Sequence, residues 1–349
     1  MVKYLKMLLW PFSLVYGGVM QVRNALYDTG TLASARFQVP VIAVGNLTVG
    51  GTGKTPHVEY LLRLLHKYKI ATLSRGYKRK TKGFLLADGE ATAERLGDEP
   101  YQYHRDFPEV TVAVAEDRVL GLQRLQQAVP DLQVIVLDDA MQHRPVHPSL
   151  NLLITEYGRP FYHDLVLPAG MLREPRSGAA RADAIIVSKC PEMLPLQRQH
   201  EIKAAIRMYS RKKAPVFFST FTYGQPVPLG QAARLANKLV LLTGIANPVT
   251  LVRYLQKQGY TILHHAAYPD HHSYTLQDMH KMKEMLQKDL FRGASVLTTR
   301  KDAVKLAGEA LQELTHTLPL FYIPVEVTFI DEKDKFDKLI LQHVRQFVS

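Results

Sequence analysis

Short apolar runs alternate with longer segments of helical periodicity along the first part of the chain. Runs rich in β-branched residues predict buried strands at Val39–Val44, Ala71–Ser74, Val110–Val114, Val134–Leu137, Leu150–Ile154 and Ala184–Ser188. The segments with helical spacing lie between them, at His57–Lys67, Arg118–Ala128 and Gln197–Arg211. Strands that alternate with helices in this way predict a doubly wound α/β fold, in which helices cover both faces of a mostly parallel sheet.

A second, smaller alternation follows the basic run Arg211–Lys213 and the Gly- and Pro-containing stretch Gly224–Gly230. Strands are predicted at Leu239–Leu242, Ser295–Thr299 and Leu320–Val327, with a helix beginning at Asn247-Pro248 and a closing helix at Asp334–Val348. We therefore expect two α/β domains, joined near residues 212–232.

The N-terminal apolar run Met7–Met20 predicts a helix whose environment the sequence leaves open. Proline and glycine interrupt the run, and it is shorter than the roughly 20 apolar residues that a membrane-spanning helix needs. Basic residues flank it, and no small-residue cleavage site typical of a secretory signal follows it. An interfacial helix on anionic headgroups and an ordinary helix packed on the core fit the pattern equally well.

Composition narrows the class of protein. The 349 residues include 44 Lys and Arg against 32 Asp and Glu, which gives a formal net charge of +12 at pH 7. A hydrophobic fraction of 46% excludes a disordered or fibrous chain, and a single cysteine, Cys190, excludes an internal disulfide. The positive charge predicts an anionic partner, and nucleic acid, phospholipid and a phosphorylated substrate all satisfy it.

A glycine-rich loop follows the first predicted strand and precedes a predicted helix. Residues 45–56 are GNLTVGGTGKTP, close to the phosphate-loop pattern G-x-x-x-x-G-K-[ST], with Thr48 at the first glycine position. Backbone N–H groups of such a loop surround phosphate oxygens, Lys54 reaches the β- and γ-phosphates, and Thr55 holds Mg²⁺. The predicted nucleotide-binding residues are Thr48, Val49, Gly50, Gly51, Thr52, Gly53, Lys54 and Thr55.

Two adjacent acids, Asp138 and Asp139, follow the apolar strand Val134–Leu137. Buried carboxylates are costly without a cation or hydrogen-bond donors, so a Mg²⁺ role is favoured over helix capping. Together with Thr55 these acids form the predicted metal site. The chain lacks the N-K-x-D sequence that recognises guanine, which favours ATP as the nucleotide.

Six further motifs accompany the loop. They are LSRGY at 73–77, GDEP at 97–100, DDAMQH at 138–143, LPAGMLREP at 167–175, PDHH at 269–272 and TTRKD at 298–302. The set resembles the tetraacyldisaccharide 4'-kinase family, the lipid A 4'-kinases of Gram-negative bacteria, over nearly the whole chain. The family usually has D-D-G-[FY]-Q-H where this chain has Ala140 and Met141. If that glycine has a positive φ, Ala140 is expected to be strained.

The resemblance implies transfer of the γ-phosphate of ATP, with Mg²⁺, to the 4'-hydroxyl of a tetraacyldisaccharide 1-phosphate in lipid A (lipopolysaccharide) biosynthesis. It implies a membrane-associated helix within residues 1–30, a P-loop NTPase-type domain at 31–220 and a smaller α/β domain at 221–349 that closes over the nucleotide. The expected location is the cytoplasmic face of the bacterial inner membrane, with a glycolipid substrate, no nucleic acid and no obligate protein partner.

The resemblance also implies roles for single residues. Asp98 is expected to be the general base for the 4'-hydroxyl, with His271 orienting it and Lys54 neutralising charge. A helix N-cap at Asp98 and a structural loop histidine at His271 are the alternatives. The predicted substrate-binding residues are Arg75, Tyr77, Arg173, Glu174 and His143. Their alternatives are a solvated basic turn for the first two, a surface ion pair between the next two, and a neutral structural histidine for the last.

The main alternative function is a membrane-associated P-loop NTPase, a switch or metallochaperone that hydrolyses nucleotide without a lipid acceptor. A basic nucleic-acid-binding module is a further alternative, although the sequence has no reader motif and its basic residues are spread over both domains. A phosphorylated lipid product would separate the kinase from both.

Overall fold

Two β-sheets organise the computed structural model, which describes residues 2–231, 234–245, 247–270 and 272–348. In chain order the described strands are β1 (Val41–Gly45), β2 (Ile70–Ser74), β3 (Leu85–Leu86), β4 (Thr111–Val114), β5 (Val134–Asp138), β6 (Leu150–Glu156), β7 (Ala184–Ser188), β8 (Val216–Tyr223), β9 (Val227–Pro228), β10 (Lys238–Thr243), β11 (Thr261–Ala267), β12 (Ser295–Thr299), β13 (Leu320–Ile323) and β14 (Val325–Phe329).

Helices pack on both sheets and precede the first strand. In chain order the described helices are α1 (Val2–Asp28), α2 (Lys54–Leu64), α3 (Ala93–Leu96), α4 (Asp98–Asp106), α5 (Arg118–Ala128), α6 (Leu196–Arg207), α7 (Val249–Lys257), α8 (Leu276–Gln287), α9 (Arg300–Leu306), α10 (Glu309–Thr317) and α11 (Lys333–Val348). Short 3₁₀ turns lie at Phe161–His163, Arg176–Arg181 and Asp289–Phe291.

The larger sheet has the strand order β14-β8-β7-β6-β1-β5-β2-β4-β3. Its edge strands β14 and β3 pair antiparallel, and its inner strands pair parallel. Ile42 and Val44 of β1 join the core that includes α2, α4 and α11, whereas Val41 and Ala43 join the core that includes α5. A strand buried on both faces is apolar throughout, which is why periodicity found these strands. The predicted doubly wound sheet is confirmed.

The smaller sheet has the order β11-β10-β12-β13-β9. Leu239 and Leu241 of β10 pack with α7, and Val240 and Leu242 pack with α8 and α10. The second sheet therefore has its own two hydrophobic layers, as the second alternation in the sequence predicted.

A proline divides the predicted strand Leu320–Val327, and that prediction is wrong. Pro324 has no N–H to extend the ladder. The chain leaves the smaller sheet after β13 and enters the larger one as β14, which pairs antiparallel with β8. The closing helix α11 then packs on the larger sheet through Phe336, Ile340 and Val344. The division into 1–30, 31–220 and 221–349 stays a prediction, and residues 325–348 pack outside the smaller sheet.

The helix α1 has two different sides. Apolar side chains at helical spacing are exposed along one side: Phe12 (65%), Val15 (69%), Val19 (61%), Val22 (62%) and Leu26 (37%). The other side carries polar residues that contact the larger sheet's loops. Within the described residues, no helix combines the length and apolar character needed to cross a membrane.

Candidate functional site

A cleft of about 2090 Å³ opens where the carboxyl ends of the larger sheet's strands face the smaller sheet. Its walls come from the loop after β1, the first turns of α2 and α4, the residues after β5, and the crossing between β13 and β14. Ligands bind at this edge of doubly wound sheets, because loops and helix N-termini converge there. Most of the residues predicted to bind nucleotide, metal or substrate line this cleft.

Glycine allows the loop after β1 to turn into α2. Gly53 is the N-cap of α2 with φ 88°, and Gly50 has φ 107°. Residues other than glycine rarely adopt such backbone angles. A Cβ on Gly53 would also lie 2.5 Å from the Phe221 ring. The first turn of α2, beginning at Lys54, lines the cleft and offers N–H groups and a positive dipole end, the arrangement that binds phosphate.

Side chains from neighbouring strands hold the loop in this shape. Asn46 Nδ2 donates to Thr52 Oγ1 at 2.8 Å, and Ser188 Oγ donates to the Thr52 carbonyl at 2.7 Å. Arg159 Nη2 donates to the Val49 carbonyl at 3.0 Å. These hydrogen bonds restrain the backbone of the loop between Val49 and Thr52.

The two ends of the predicted loop lie in different environments. Thr48 is 3% exposed and forms a β-bridge with Leu172, so it supports the loop from behind. Gly51 is exposed, lines the cleft, and its carbonyl accepts a hydrogen bond from Lys189 Nζ at 2.5 Å. The part of the loop from Val49 to Thr55 is therefore the part that can meet a ligand.

A buried histidine attaches α2 to β8. His57 Nδ1 lies 2.7 Å from the Gly53 carbonyl and donates to it, and His57 Nε2 lies 3.0 Å from Ser219 Oγ and accepts from it. Burial lowers the pKa of His57 to about 4, so the ring is neutral at neutral pH. The contact fixes the glycine that caps α2 against the larger sheet.

The two acids at the carboxyl end of β5 lie near the lysine of the loop. Asp139 Oδ1 lies 3.4 Å from Lys54 Nζ. Asp138 is 7% exposed, and its Oδ2 accepts a hydrogen bond from the Tyr103 hydroxyl at 3.1 Å. The structure therefore brings together the acids and the lysine that the motifs predicted separately.

The turn at these acids differs from the expectation for Ala140. Asp139 has φ 51°, and Ala140 is not among the described residues with a positive φ. The expected strain at Ala140 is therefore absent. Met141 packs so closely on β1 that a Cβ on Gly45 would lie 2.6 Å from the Met141 Cβ. Glycine at position 45 makes room for this turn.

Opposite pKa shifts distinguish the two acids. Burial, and after it the charge of Asp139, raise the pKa of Asp138 to about 7. Burial acts in the same direction on Asp139, but Lys54 and Arg173 outweigh it and hold the pKa of Asp139 below its usual range. Asp139 is an anion at neutral pH, whereas Asp138 needs a further cation to ionise fully.

The donor set at this turn fits Mg²⁺. Asp138 Oδ1 is buried and has no hydrogen-bond partner among the described residues. Mg²⁺ takes oxygen ligands and is usually held by one or two carboxylates together with nucleotide phosphates. Asp138, Asp139 and the Thr55 hydroxyl in the first turn of α2 supply such oxygens beside the phosphate loop.

Asp98 and Glu99 begin α4, and Gly97 is the N-cap of this helix. The alternative of Asp98 as an N-cap is therefore wrong. Glu99 lines the cleft, whereas Asp98 Oδ2 lies 3.4 Å from Lys305 Nζ on α9. His271 lies outside the described residues, so its contact with Asp98 stays a prediction.

Arginines cluster near the acids at the ends of β2 and β4. Arg75 and Tyr77 follow β2 and line the cleft, and the Tyr77 side chain is 58% exposed. Arg118, at the start of α5, is only 4% exposed, and its Nε has no hydrogen-bond partner among the described residues. Burial, and after it the charge of Arg75, lower the pKa of Arg118. Two neighbouring guanidinium groups favour an anion between them.

His143 is a half-buried, neutral histidine. Its Nε2 accepts a hydrogen bond from the Arg118 N–H at 3.3 Å. Burial, and after it the Arg118 charge, lower the pKa of His143 to about 4. This contact matches the structural alternative, and a role of His143 in substrate binding stays a prediction.

Arg173 and Glu174 point to different partners, so the surface ion pair is wrong. Arg173 Nη1 donates to both Asp139 carboxylate oxygens, at 3.1 and 3.0 Å. Glu174 is 1% exposed and accepts hydrogen bonds from Arg181 at 2.7 Å and from Gln142 at 2.9 Å. Arg173 therefore orients the turn that contains Asp139. Glu174 connects this turn to the segment of Arg181 through hydrogen bonds.

The polar side of α1 reaches this same loop. The Tyr16 hydroxyl donates to the Arg173 carbonyl at 2.9 Å, and Asn24 Nδ2 donates to Glu174 Oε2 at 2.9 Å. Ser13 Oγ accepts from the Ala169 N–H at 2.9 Å. The helix with the exposed apolar side is thus bonded directly to the loop that orients Asp139.

Comparison with known proteins gives a consistent result over the whole chain. The profile of the tetraacyldisaccharide-1-P 4'-kinase family matches residues 5–345. The chain belongs to this family. Tetraacyldisaccharide 4'-kinases of Flavobacterium psychrophilum and Phocaeicola vulgatus are 44% and 40% identical, over 98% and 97% of this chain and 97% and 95% of theirs. A crystal structure of LpxK from Aquifex aeolicus in complex with ATP is similar at a TM-score of 0.75 and 31% identity, over 97% of this chain and 99% of that chain.

Membership of the 4'-kinase family confirms the predicted family, the α/β fold with a large, mostly parallel sheet, and a kinase function in lipid A biosynthesis. The assignments of single site residues stay predictions. Sequence analysis missed His57, Arg118 and Gln142, which support the loop, the basic cluster and Glu174. Gln142 lies inside the DDAMQH motif, which could have indicated it. No local pattern distinguishes the other two, because Ser219, which pairs with His57, and Arg75, which lies near Arg118, are distant from them in the chain.

Proposed function

We propose that this chain transfers the γ-phosphate of ATP to the 4'-hydroxyl of a tetraacyldisaccharide 1-phosphate, a step of lipid A biosynthesis. The observation that carries the proposal is the ion pair of Lys54 with Asp139 at the N-terminus of α2. Beside this pair, Asp138 Oδ1 has no hydrogen-bond partner in the part of the chain that the structure describes. Family membership supports the acceptor, and the similar ATP-bound LpxK supports the donor.

The donor side of the site works through position and charge, because phosphoryl transfer asks little covalent chemistry of the protein. The N–H groups of the loop from Gly50 to Gly53 and the Lys54 ammonium hold the β- and γ-phosphates. Arg173 orients Asp139 through two hydrogen bonds to its carboxylate. Thr55, Asp138 and Asp139 would hold Mg²⁺, which neutralises charge on the phosphates.

The acceptor side needs a base for the sugar hydroxyl. Asp98 takes this proton in our proposal, and His271 orients the carboxylate, as the family resemblance implies. Glu99 is the competing base, because it begins the same helix and lines the cleft. Substitution of each acid in turn distinguishes the two.

Substrate recognition falls to the segment after β2, which packs against Gly97 at the N-terminus of α4. Arg75 and Tyr77 would bind the sugar or its 1-phosphate, with Arg118 adding buried positive charge. Arg173, Glu174 and His143 surround the aspartate turn, where the 4'-hydroxyl must approach the γ-phosphate.

The exposed apolar side of α1 supports peripheral binding at the cytoplasmic face of the inner membrane. Five aliphatic or aromatic side chains on one side of a helix bury favourably at the headgroup boundary. The net charge of +12 adds attraction to anionic lipids. The enzyme would then bind its acylated substrate at the surface of the membrane that contains it.

The test is a lipid kinase assay. Purified protein is incubated with Mg-ATP and tetraacyldisaccharide 1-phosphate in detergent micelles, and lipid products are analysed by mass spectrometry. We expect a bis-phosphorylated lipid that Lys54→Ala does not form and that Lys335→Ala, a substitution on the exposed side of α11, still forms. Hydrolysis of ATP without a phosphorylated lipid would refute the acceptor and favour an NTPase switch.

A further inference from the structure

Three ion pairs join α4 of the larger sheet to α9 of the smaller one. Arg300 forms a two-contact pair with Asp106, with Nε to Oδ2 at 2.8 Å. The other pairs are Lys301 with Glu99 at 3.5 Å and Lys305 with Asp98 at 3.4 Å. Each basic residue of α9 therefore faces a separate acid of α4, and Lys305 is the one paired with the proposed base.

Lys305 is unusually buried for a lysine. Its side chain is 8% exposed, and Nζ makes no hydrogen bond to the described residues. A buried ammonium is costly unless carboxylates compensate it. The two that do so are Asp98 and, at 3.7 Å, Asp302 of the same helix.

Asp302 fixes Lys305 from the side of the smaller sheet. Asp302 is fully buried, and its Oδ2 accepts hydrogen bonds from the Gly244 N–H at 2.9 Å and the Thr299 hydroxyl at 2.8 Å. A Cβ at Gly244 would lie 2.9 Å from Asp302 Oδ1, so the close approach needs glycine. Because Asp302 is already bonded on one side, Lys305 is held at a defined place when α9 meets α4.

We propose that Lys305 is a positioning residue for Asp98, and that docking of α9 on α4 sets the carboxylate in place for proton removal. The inference rests on the proposed role of Asp98. A base must be ionised to accept a proton, and a cation within 4 Å favours the ionised form. The same contact makes the base dependent on the smaller sheet, because Lys305 lies in α9, the helix that follows β12 of that sheet.

Among the described residues, other charged side chains of α3 and α9 form ion pairs of their own. Lys301 faces Glu99 and Asp270, Glu94 of α3 pairs with Lys80, and Arg95 of α3 pairs with Asp88 and Glu90. His271, in the loop that carries Asp270, lies outside the described residues. Lys301 therefore offers a matched control, since it lies on the same helix and pairs with the neighbouring acid.

The experiment measures kcat against pH in the full-length enzyme with Mg-ATP and the lipid acceptor. In Lys305→Met, Asp98 loses a nearby cation, so we expect the acid limb of the kcat–pH profile to move up by about one pH unit. The plateau value of kcat should fall, with little change in the KM for ATP. Lys305→Arg should return the limb towards the wild-type position, and Lys301→Met should leave it in place. Lys305→Gln, which keeps a polar tip without charge, carries the same prediction if the methionine variant does not fold.

An unmoved acid limb in both uncharged variants would overturn the inference, since a purely structural lysine changes stability and not this limb. A rise in plateau kcat would also overturn the inference, because the ion pair with Lys305 would then hinder proton removal by Asp98. Asp98→Ala is measured in the same series. Full turnover without Asp98 removes the proposed base, whereas lost turnover together with an unmoved limb rejects Lys305 alone.

Discussion

The phosphate edge of the larger sheet and the α4–α9 interface contribute to one cleft in different ways. At the phosphate edge, hydrogen bonds join the loop after β1, the acids at the end of β5 and the loop around Arg173, which all lie at one end of the larger sheet. At the interface, Asp98 and Asp106 form ion pairs with α9, about 200 residues further along the chain. The donor half is therefore built into a single sheet, and the acceptor half depends on how two sheets dock.

Because of this difference, the key carboxylates of the two halves obtain their neighbouring cations from different places. Asp139 is anionic because Lys54 and Arg173 of the same sheet lower its pKa. Asp98 obtains its cation, Lys305, from the other sheet. Substitutions at the phosphate edge should therefore lower kcat most, and those at the interface should lower it less, by slowing proton removal.

The largest expected effect falls on the phosphate edge. Lys54→Ala removes the cation that faces both Asp139 and the nucleotide phosphates, and we expect kcat to fall by roughly 10³-fold. Transfer of radiolabelled phosphate to lipid measures it. Lys69→Ala, in an exposed pair with Asp131, is the control. A loss below tenfold would mean that the loop alone neutralises the phosphates.

The packing of the phosphate edge predicts a pH-dependent stability. The pKa of His57 is about 4 in the folded state and about 6.5 when unfolded, so the unfolded state binds more protons in between. Stability is therefore lost as pH falls through this window, by up to about 3 kcal/mol from this residue.

His57→Gln should flatten that part of the slope, because an amide can make both hydrogen bonds without titrating. Urea unfolding from pH 4 to pH 7.5 measures the change, with the exposed His66→Gln as control. An equally steep slope in His57→Gln would assign the acid sensitivity to other groups.

At the interface, Asp98→Ala should lower kcat by roughly 10²-fold and leave ATP binding intact, as expected for loss of a general base. Initial rates with lipid and ATP affinity by calorimetry check the two parts. Glu99→Gln is the matched variant on the same turn of α4. If it loses turnover and Asp98→Ala does not, Glu99 is the base.

The smallest effect tests the link from α1 to the phosphate edge. Tyr16→Phe removes one exposed hydrogen bond to the Arg173 carbonyl, so we expect about a threefold rise in the KM for lipid and an unchanged KM for ATP. Tyr27→Phe, on the same helix, is the control. Equal effects of the two would mean that α1 acts only as a membrane anchor.

Much of the phosphate edge was predictable because its signals are local. β-branched runs predicted the buried strands, and the glycines, Lys54 and the paired acids stand in short motifs at their ends. The family pattern left open whether residue 140 has a positive φ, and the structure has it at Asp139 instead, since a sequence pattern does not say which residue of the turn takes it.

The interface was not predictable by the same means. Pro324 interrupts an apolar run that periodicity reads as one strand, and only the pairing of β14 with β8 reveals the return to the larger sheet. Glu174 looked like half of a surface pair but is buried by Arg181, Gln142 and Asn24. Lys305 belongs to no sequence motif, because its proposed role depends on an ion pair with Asp98, which is distant in the chain.

The most direct test of the account is the position of the new phosphate. The lipid product formed with Mg-ATP is purified and examined by two-dimensional ¹H–³¹P NMR. We predict a second phosphorus coupled to the proton at the 4'-carbon, with the 1-phosphate retained. Coupling to another sugar position, or the absence of a second phosphorus while ATP is consumed, would contradict the proposed reaction.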